Sequence, residues 1–242
     1  MNSNIESHGH HISKQFNLEL EEIKNNMLEM GGVIERQIAD AMKSLLDGDT
    51  GLAAQVLTVE DRIDSMEVNI DEECSLILAR RHPAASDLRL VLAIIKTVRD
   101  LERVGDESAK IARMAIKLSE EGEISQGLVE FRHLADSVTR MVSGSLDAFA
   151  RYDADAALEV VRDDVAVDKI YASVMRSLIT YMMEDPRSIS RVLNMLWALR
   201  ALERIGDHAK NVAEHVIYLV KGMDVRHEKL ADVELKEPEI NN

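Results

Sequence analysis

DLERVGDESAK at Asp100–Lys110 and ALERIGDHAKN at Ala201–Asn211 are two spellings of one segment, about a hundred residues apart in a chain of 242. The landmarks around them keep nearly the same spacing: Asp49 pairs with Asp153 at a shift of 104, Pro83 with Pro186 at 103, and Glu102 with Glu203 at 101. Several landmarks agreeing within small gaps mark an internal duplication. Whatever one half folds into, the other is expected to repeat.

Outward from this segment, apolar residues recur at helical spacing in six long stretches, roughly 14–47, 51–81, 84–119, 127–151, 154–184 and 187–221. The breaks carry helix-ending and helix-starting chemistry. Asp47-Gly48-Asp49-Thr50-Gly51 and Asp153-Ala154-Asp155 offer acidic N-caps, Glu121-Gly122 and Gly127 bracket the middle, and His82-Pro83 and Asp185-Pro186 place a proline where a helix can begin. Aromatic residues make up only 3% of the chain, with 11 Gly and three Pro, a balance that favours helix over sheet. Short connections between long helices favour antiparallel neighbours. The expectation is an all-α chain of two tandem three-helix bundles, residues 14–120 and 121–222. A flexible leader (1–13, with His8, His10 and His11) precedes them and a polar tail (223–242) follows.

A formal net charge of −15 and no local basic face argue against a nucleic-acid partner. Cys74 is the sole cysteine, so no internal disulfide is possible. The longest aliphatic run, Leu90 to Ile95, is too short to span a bilayer, and the N-terminal stretch has no apolar signal region. A cytoplasmic protein that meets membranes only through partners is expected.

The duplicated segment carries Glu102/Asp106 and Glu203/Asp207, acidic residues four apart and therefore on one helix face. At about 100° per residue they fall on the apolar stripe of their helices. The preceding helices offer Glu60/Asp64 and Asp164/Asp168 at the edge of that stripe, at matching positions in both halves. Height is the sharper test. Asp64 and Glu102 each lie 19 residues from Pro83, and Glu60 and Asp106 each lie 23. At ~1.5 Å per residue both pairs stand roughly 28–35 Å from the turn, and the second half repeats this around Pro186. Four carboxylates gathered in partly desolvated space must take up protons or acquire cations. Oxygen-only donors suit hard or borderline ions.

A second reading needs no metal: Arg99, Arg103 and Lys110, with Arg200, Arg204 and Lys210, neutralise the acids in ion-pair ladders, Asp106 and Lys110 being themselves four apart. Gly105 and Gly206 sit inside these helices at a cost of about 1 kcal/mol each relative to alanine, which points to close helix packing. His208, Asn211, Glu214 and His215 could add ligands, but the first half has no equivalent set. Asp100 faces Ala201 in the alignment and is therefore left outside the candidate site.

LERVGD and LERIGD, with TYMMEDPRSI at Thr180–Ile189 and the run from His82 to Arg103, resemble the PhoU family across residues 11 to 227. The resemblance implies two three-helix bundles with metal-associated E/D-x-x-x-D motifs, here Glu60/Asp64, Glu102/Asp106, Asp164/Asp168 and Glu203/Asp207, holding Mg, Mn, Fe or Zn. It implies a non-enzymatic negative regulator of the phosphate-starvation response and of phosphate uptake, in signal transduction for phosphate homeostasis. The partners it implies are the ATP-binding subunit of the phosphate ABC importer and a membrane sensor histidine kinase, with a homodimer as the assembly. The competing reading of the same carboxylates is a metal-dependent hydrolase or oxidase, although no Walker loop or nucleophile and base pair is evident.

Overall fold

Corresponding helices in the two halves start at an aspartate whose side chain satisfies an otherwise open backbone N–H. Asp49 Oδ1 accepts from the Leu52 amide at 2.9 Å, and Asp153 Oδ1 accepts from those of Asp155 and Ala156 at 3.1 and 2.9 Å. Gly222 ends the last helix in the left-handed region (φ 71°), with its N–H on the Tyr218 carbonyl at 2.9 Å. In a computed structural model the described residues are 3–83, 85–121 and 128–225, with side chains from residue 14 and, in the second half, from residue 131.

Among these residues there are seven α-helices and no strand: α1 (Ser3–Asp47), α2 (Thr50–Thr58), α3 (Glu60–Arg81), α4 (Ala85–Glu121), α5 (Leu128–Arg151), α6 (Ala154–Glu184) and α7 (Ile189–Lys221). Helices α1, α2, α3 and α4 pack as one bundle and α5, α6 and α7 as the other. Helix α1 begins at Ser3, so backbone read as a flexible leader continues the helix. Met223 and Val225, read as the start of a polar tail, pack on the core. The rest of the tail, 226–242, and the connection 122–127 lie outside the described residues.

The second apolar stretch, expected as one helix, is broken at Val59. The Val59 N–H reaches back only three residues to the Val56 carbonyl (3.2 Å), and Gln37 Nε2 donates to the same carbonyl from α1 at 3.4 Å. A side chain from another helix thus helps satisfy the group exposed by the break. Pro186 likewise begins a single 3-10 turn, Pro186–Ser188, before α7.

The bundles share one continuous core. Helices α4 and α7 run antiparallel along a long seam, with Ser190 and Asn194 of α7 donating to Glu121 at the end of α4 (2.6 and 3.2 Å). Ser143 of α5 bonds Glu35 of α1. Gly105 faces Ile63 and Gln37, and Gly206 faces Val138 and Val167, so each glycine serves packing inside its own bundle. Cys74 is buried, and burial pushes its thiol up to about 12, which makes it a core residue.

Candidate functional site: two carboxylate grooves

Helix spacing and the breaks at 82–83 and 185–188 bring the acidic positions of α3 to α4 and those of α6 to α7. The expectation that Glu102, Asp106, Glu203 and Asp207 lie on the inward stripe needs correction, and Asp164, expected at its edge, is buried. These carboxylates line an outer groove between two helices, with Glu102 and Glu203 half-buried and Asp64, Asp168 and Asp207 open to solvent. A helix position at the edge of the apolar stripe looks along the neighbouring helix, not into the middle of the bundle.

In the first groove, partial burial raises the pKa of Glu102, and the charges of Asp106, Glu67 and Asp64 raise it further while Arg103 opposes. Asp64 is raised by desolvation and then by Glu60 and Asp106. Glu60 itself turns to Arg113, whose Nη2 lies 2.8 Å from Glu60 Oε2. Glu67, absent from the sequence-derived set, takes its place beside Asp64 and Glu102, and burial together with Asp71 and Asp64 raises its pKa. The signal was legible: 60, 64, 67 and 71 are spaced three and four apart along one face of α3.

In the second groove, desolvation raises Glu203, followed by the charge of Asp207. Asp207 is raised by desolvation and then by Asp164 and Asp168. Asp164 is buried and bonded by Lys210 Nζ at 2.6 Å. Glu203 Oε1 receives Arg200 at 2.7 Å, whereas its Oε2 is buried with no hydrogen-bond partner. The positions of Glu67 and Asp71 become Tyr171 and Met175 at the same shift of 104, so the first groove is the more acidic.

Ion pairing is therefore part of the answer, but with different partners from those expected. Arg103 reaches Glu102 at 3.2 Å and Asp106 at 3.5 Å from an exposed position, which contributes little. Lys110 leaves Asp106 for the buried Glu107, at 2.9 Å. Among the described residues no group of three or more His, Cys, Asp or Glu side chains stands arranged to hold a metal ion. Oxygen-only donors of this kind suit a hard or borderline cation rather than a soft one.

Sequence spacing missed the most completely bonded acid. Asp100 of α4 lies in the seam and accepts from His208 Nδ1–H at 2.8 Å, His215 Nε2–H at 2.8 Å and Asn211 Nδ2 at 3.0 Å, all from α7. Burial alone would raise its pKa, but the three hydrogen bonds outweigh that and hold it at about 2. About two turns further along α4, buried Glu107 receives Arg204 of α7 at 3.0 Å. The unmatched set His208, Asn211 and His215 was the available signal. It belonged to a contact between halves rather than to a repeated site.

The PhoU domain model matches twice, at residues 27–115 and 131–216, one match per bundle. This chain belongs to the PhoU family. It is 61% identical over 224 residues to the phosphate-specific transport system accessory protein PhoU homolog of Pseudomonas aeruginosa, covering 93% of each chain. It is 45% identical over 218 residues to the phosphate-specific transport system accessory protein PhoU of Escherichia coli, covering 90% of each. The crystal structure of PhoU from P. aeruginosa superposes with a TM-score of 0.84 at 60% identity, over 86% of this chain and all of that one. That of the phosphate transport system regulatory protein PhoU from Streptococcus pneumoniae gives 0.81 at 28% identity, over 87% and 99%. The PhoU fold of two tandem helical bundles is thereby shared with solved structures. No helix among the described residues is long and apolar enough to cross a membrane.

Proposed function

We propose that this chain is a non-enzymatic regulatory adaptor of a phosphate ABC importer. When phosphate is plentiful it holds the importer, through its ATP-binding subunit, and a membrane sensor histidine kinase in a signalling-off state. It works on the cytoplasmic side, as a homodimer, and is peripheral to the inner membrane through these partners. The observation that carries this reading is the end-to-end match to proteins named as accessory to phosphate-specific transport, at 61% identity over 93% of the chain.

The carboxylate grooves supply the adaptor's cation sites. Mg, Mn, Fe or Zn would be held by Glu60, Asp64, Glu102 and Asp106 in the first half, and by Asp164, Asp168, Glu203 and Asp207 in the second. A bound cation neutralises acids that now raise one another's pKa, and so favours the groove in its compact form. Support for this comes from those raised pKa values and from the orphaned Glu203 oxygen.

Deleting the gene should raise phosphate-starvation gene expression in phosphate-rich medium, and unchanged expression would defeat the proposal. Elemental analysis should find metal that falls when Glu102 and Glu203 are both changed to Ala. Phosphoester turnover lost in the same variant would instead favour a hydrolase.

A further inference from the structure

The two grooves carry matching acids but not matching cations. In the second, Lys210 stands one turn beyond Asp207 on α7 and places its Nζ 2.6 Å from Asp164 Oδ2 on α6. Asp164 keeps only 7% of its side chain exposed and is the only buried one of the acids assigned to the grooves. Burial works against the ammonium, yet the hydrogen bond and charge of Asp164, with the charges of Glu214 and Asp207, outweigh it and hold the Lys210 pKa above the ordinary lysine value. These acids therefore already hold a cation, and the chain itself supplies it.

The first groove has no such group at the matching place. Lys210 aligns with Ala109, which is fully buried, and the next residue, Lys110, turns to Glu107 in the seam. Glu60, the counterpart of Asp164, is paired with Arg113 at 2.8 Å, but there the carboxylate is 28% and the guanidinium 44% exposed, so the pair is screened and readily exchanged for water. Arg99 and Arg103 are exposed as well, and Glu67 and Asp71 add acids where the second groove has Tyr171 and Met175.

The difference sets what an incoming ion must displace. At the first groove it displaces water and exposed guanidinium groups. At the second it reaches Asp164 only if the Lys210 ammonium leaves, and opening a buried ion pair costs far more than opening a surface one. Lys210 has a way out. It is 35% exposed on a flexible four-carbon stem, so a change of rotamer frees Asp164 and α7 need not move.

We propose that Lys210 is the built-in counter-cation of the second groove, competing there with metal, so that the chain fills its first groove before its second. The proposal rests on the reading of the grooves as cation sites and adds an order of filling to it. A duplicated site would otherwise respond once to cation concentration. With Lys210 in one copy, it responds in two steps.

The test is uptake of Mn²⁺ by chelator-stripped protein, read from the electron paramagnetic resonance signal of the ion left free in solution. Wild type should bind in two phases ~10-fold or more apart, or show only the tighter one. The pair Glu67→Gln/Glu102→Gln should remove the tighter phase and leave the weaker. Lys210→Gln keeps a hydrogen-bond donor for Asp164 while removing the charge. It should strengthen the weaker phase by ~10-fold, or bring it into view, with the tighter phase unchanged. Lys210→Arg keeps the charge and should bind as wild type does. Thermal unfolding gives a second readout: at one fixed Mn²⁺ concentration, the rise in Tm over that in chelator should be larger for Lys210→Gln than for wild type. Two phases of equal affinity in wild type, a weaker phase that Lys210→Gln leaves unchanged, or a tighter phase that survives Glu67→Gln/Glu102→Gln overturns the proposal while the groove reading stands. If neither wild type nor Lys210→Gln takes up Mn²⁺, the groove reading fails and the proposal fails with it.

Discussion

Replacing Asp100 with alanine tests whether the seam between bundles is held by the one acid that three α7 side chains converge on. A carboxyl held at about 2 instead of its ordinary 3.8 contributes roughly 2.5 kcal/mol to stability at neutral pH, at ~1.4 kcal/mol per pH unit. Counting bonds agrees: hydrogen bonds to a charged group contribute about 1.5–3 kcal/mol each before non-additivity, and the alanine leaves His208, His215 and Asn211 without their acceptor. The expected loss is about 2–3 kcal/mol, or a fall in Tm of roughly 5–10 °C for a chain of this size. The assay is thermal unfolding by calorimetry at neutral pH, with Asp100→Asn as the companion. The sign of the pH effect is fixed as well. The unfolded chain takes up a proton at this position before the folded one does, so the contribution is complete above about pH 4 and is lost as pH falls toward 2. Asp100→Asn should flatten the acid limb of the stability curve in that window. A Tm for Asp100→Ala within a degree of wild type would refute the assignment of the seam to this cluster.

Glu203→Gln should stabilise metal-free protein, because it removes a half-buried charge set against Asp207, and should weaken metal binding; calorimetry with and without a chelator checks both. The raised carboxylates also predict that metal-free protein gains stability as pH falls toward the ordinary carboxylate range near 4, since the folded state takes up protons first, and that saturating metal abolishes the gain. The repeated glycines should respond with opposite signs. An added Cβ at Gly206 meets its neighbours at 3.6 Å, so Gly206→Ala should gain up to ~1 kcal/mol of helix propensity, whereas at Gly105 it meets Ile63 at 3.1 Å and Gln37 at 3.3 Å, so Gly105→Ala should be neutral or worse in urea unfolding. His208→Glu sets a carboxylate against Asp100 and should cost at least as much as Asp100→Ala, with Asp100→Ala recovering part of the loss in the double variant.

The helices and their duplication were legible because periodicity, caps and prolines are local signals, and LERVGD with LERIGD set the register between halves. The level of the grooves followed from counting residues out from each proline. In the second half Asp207 lies close enough to Asp164 and Asp168 for their charges to raise its pKa, and close enough to Glu203 to raise that of Glu203. In the first half the count ran about one turn off, so that Glu60 met Arg113 and Glu67 joined the cluster. The break at Val59 was invisible because its freed carbonyl is satisfied by Gln37, nineteen residues away on another helix. Asp100 has Ala201 as its counterpart, so repetition alone gives it no part in a duplicated site. A residue that joins the halves obeys a different rule.

That rule follows from the antiparallel packing of α4 against α7. Each position in the seam meets, in the other half, a position whose own counterpart meets it in return. Asp100 meets His208, and the positions that correspond to these two in the other half are Ala201 and Glu107. Had the halves stayed identical in the first half's spelling, an aspartate at 100 would have faced a glutamate at 208, with the same clash repeated at 201 and 107. Two buried like charges would then stand within hydrogen-bonding distance at each of these places in the seam, an arrangement that must shed a proton's worth of charge or separate. Histidine at 208 and alanine at 201 remove both clashes and leave Asp100 bonded by His208, His215 and Asn211, while Glu107 is matched by Arg204 from across the seam. The grooves, which lie within a single half, carry no such constraint and could keep their duplicated acids. Divergence at 100/201 and 107/208 therefore removes both clashes from the seam where the two bundles pack as a single body.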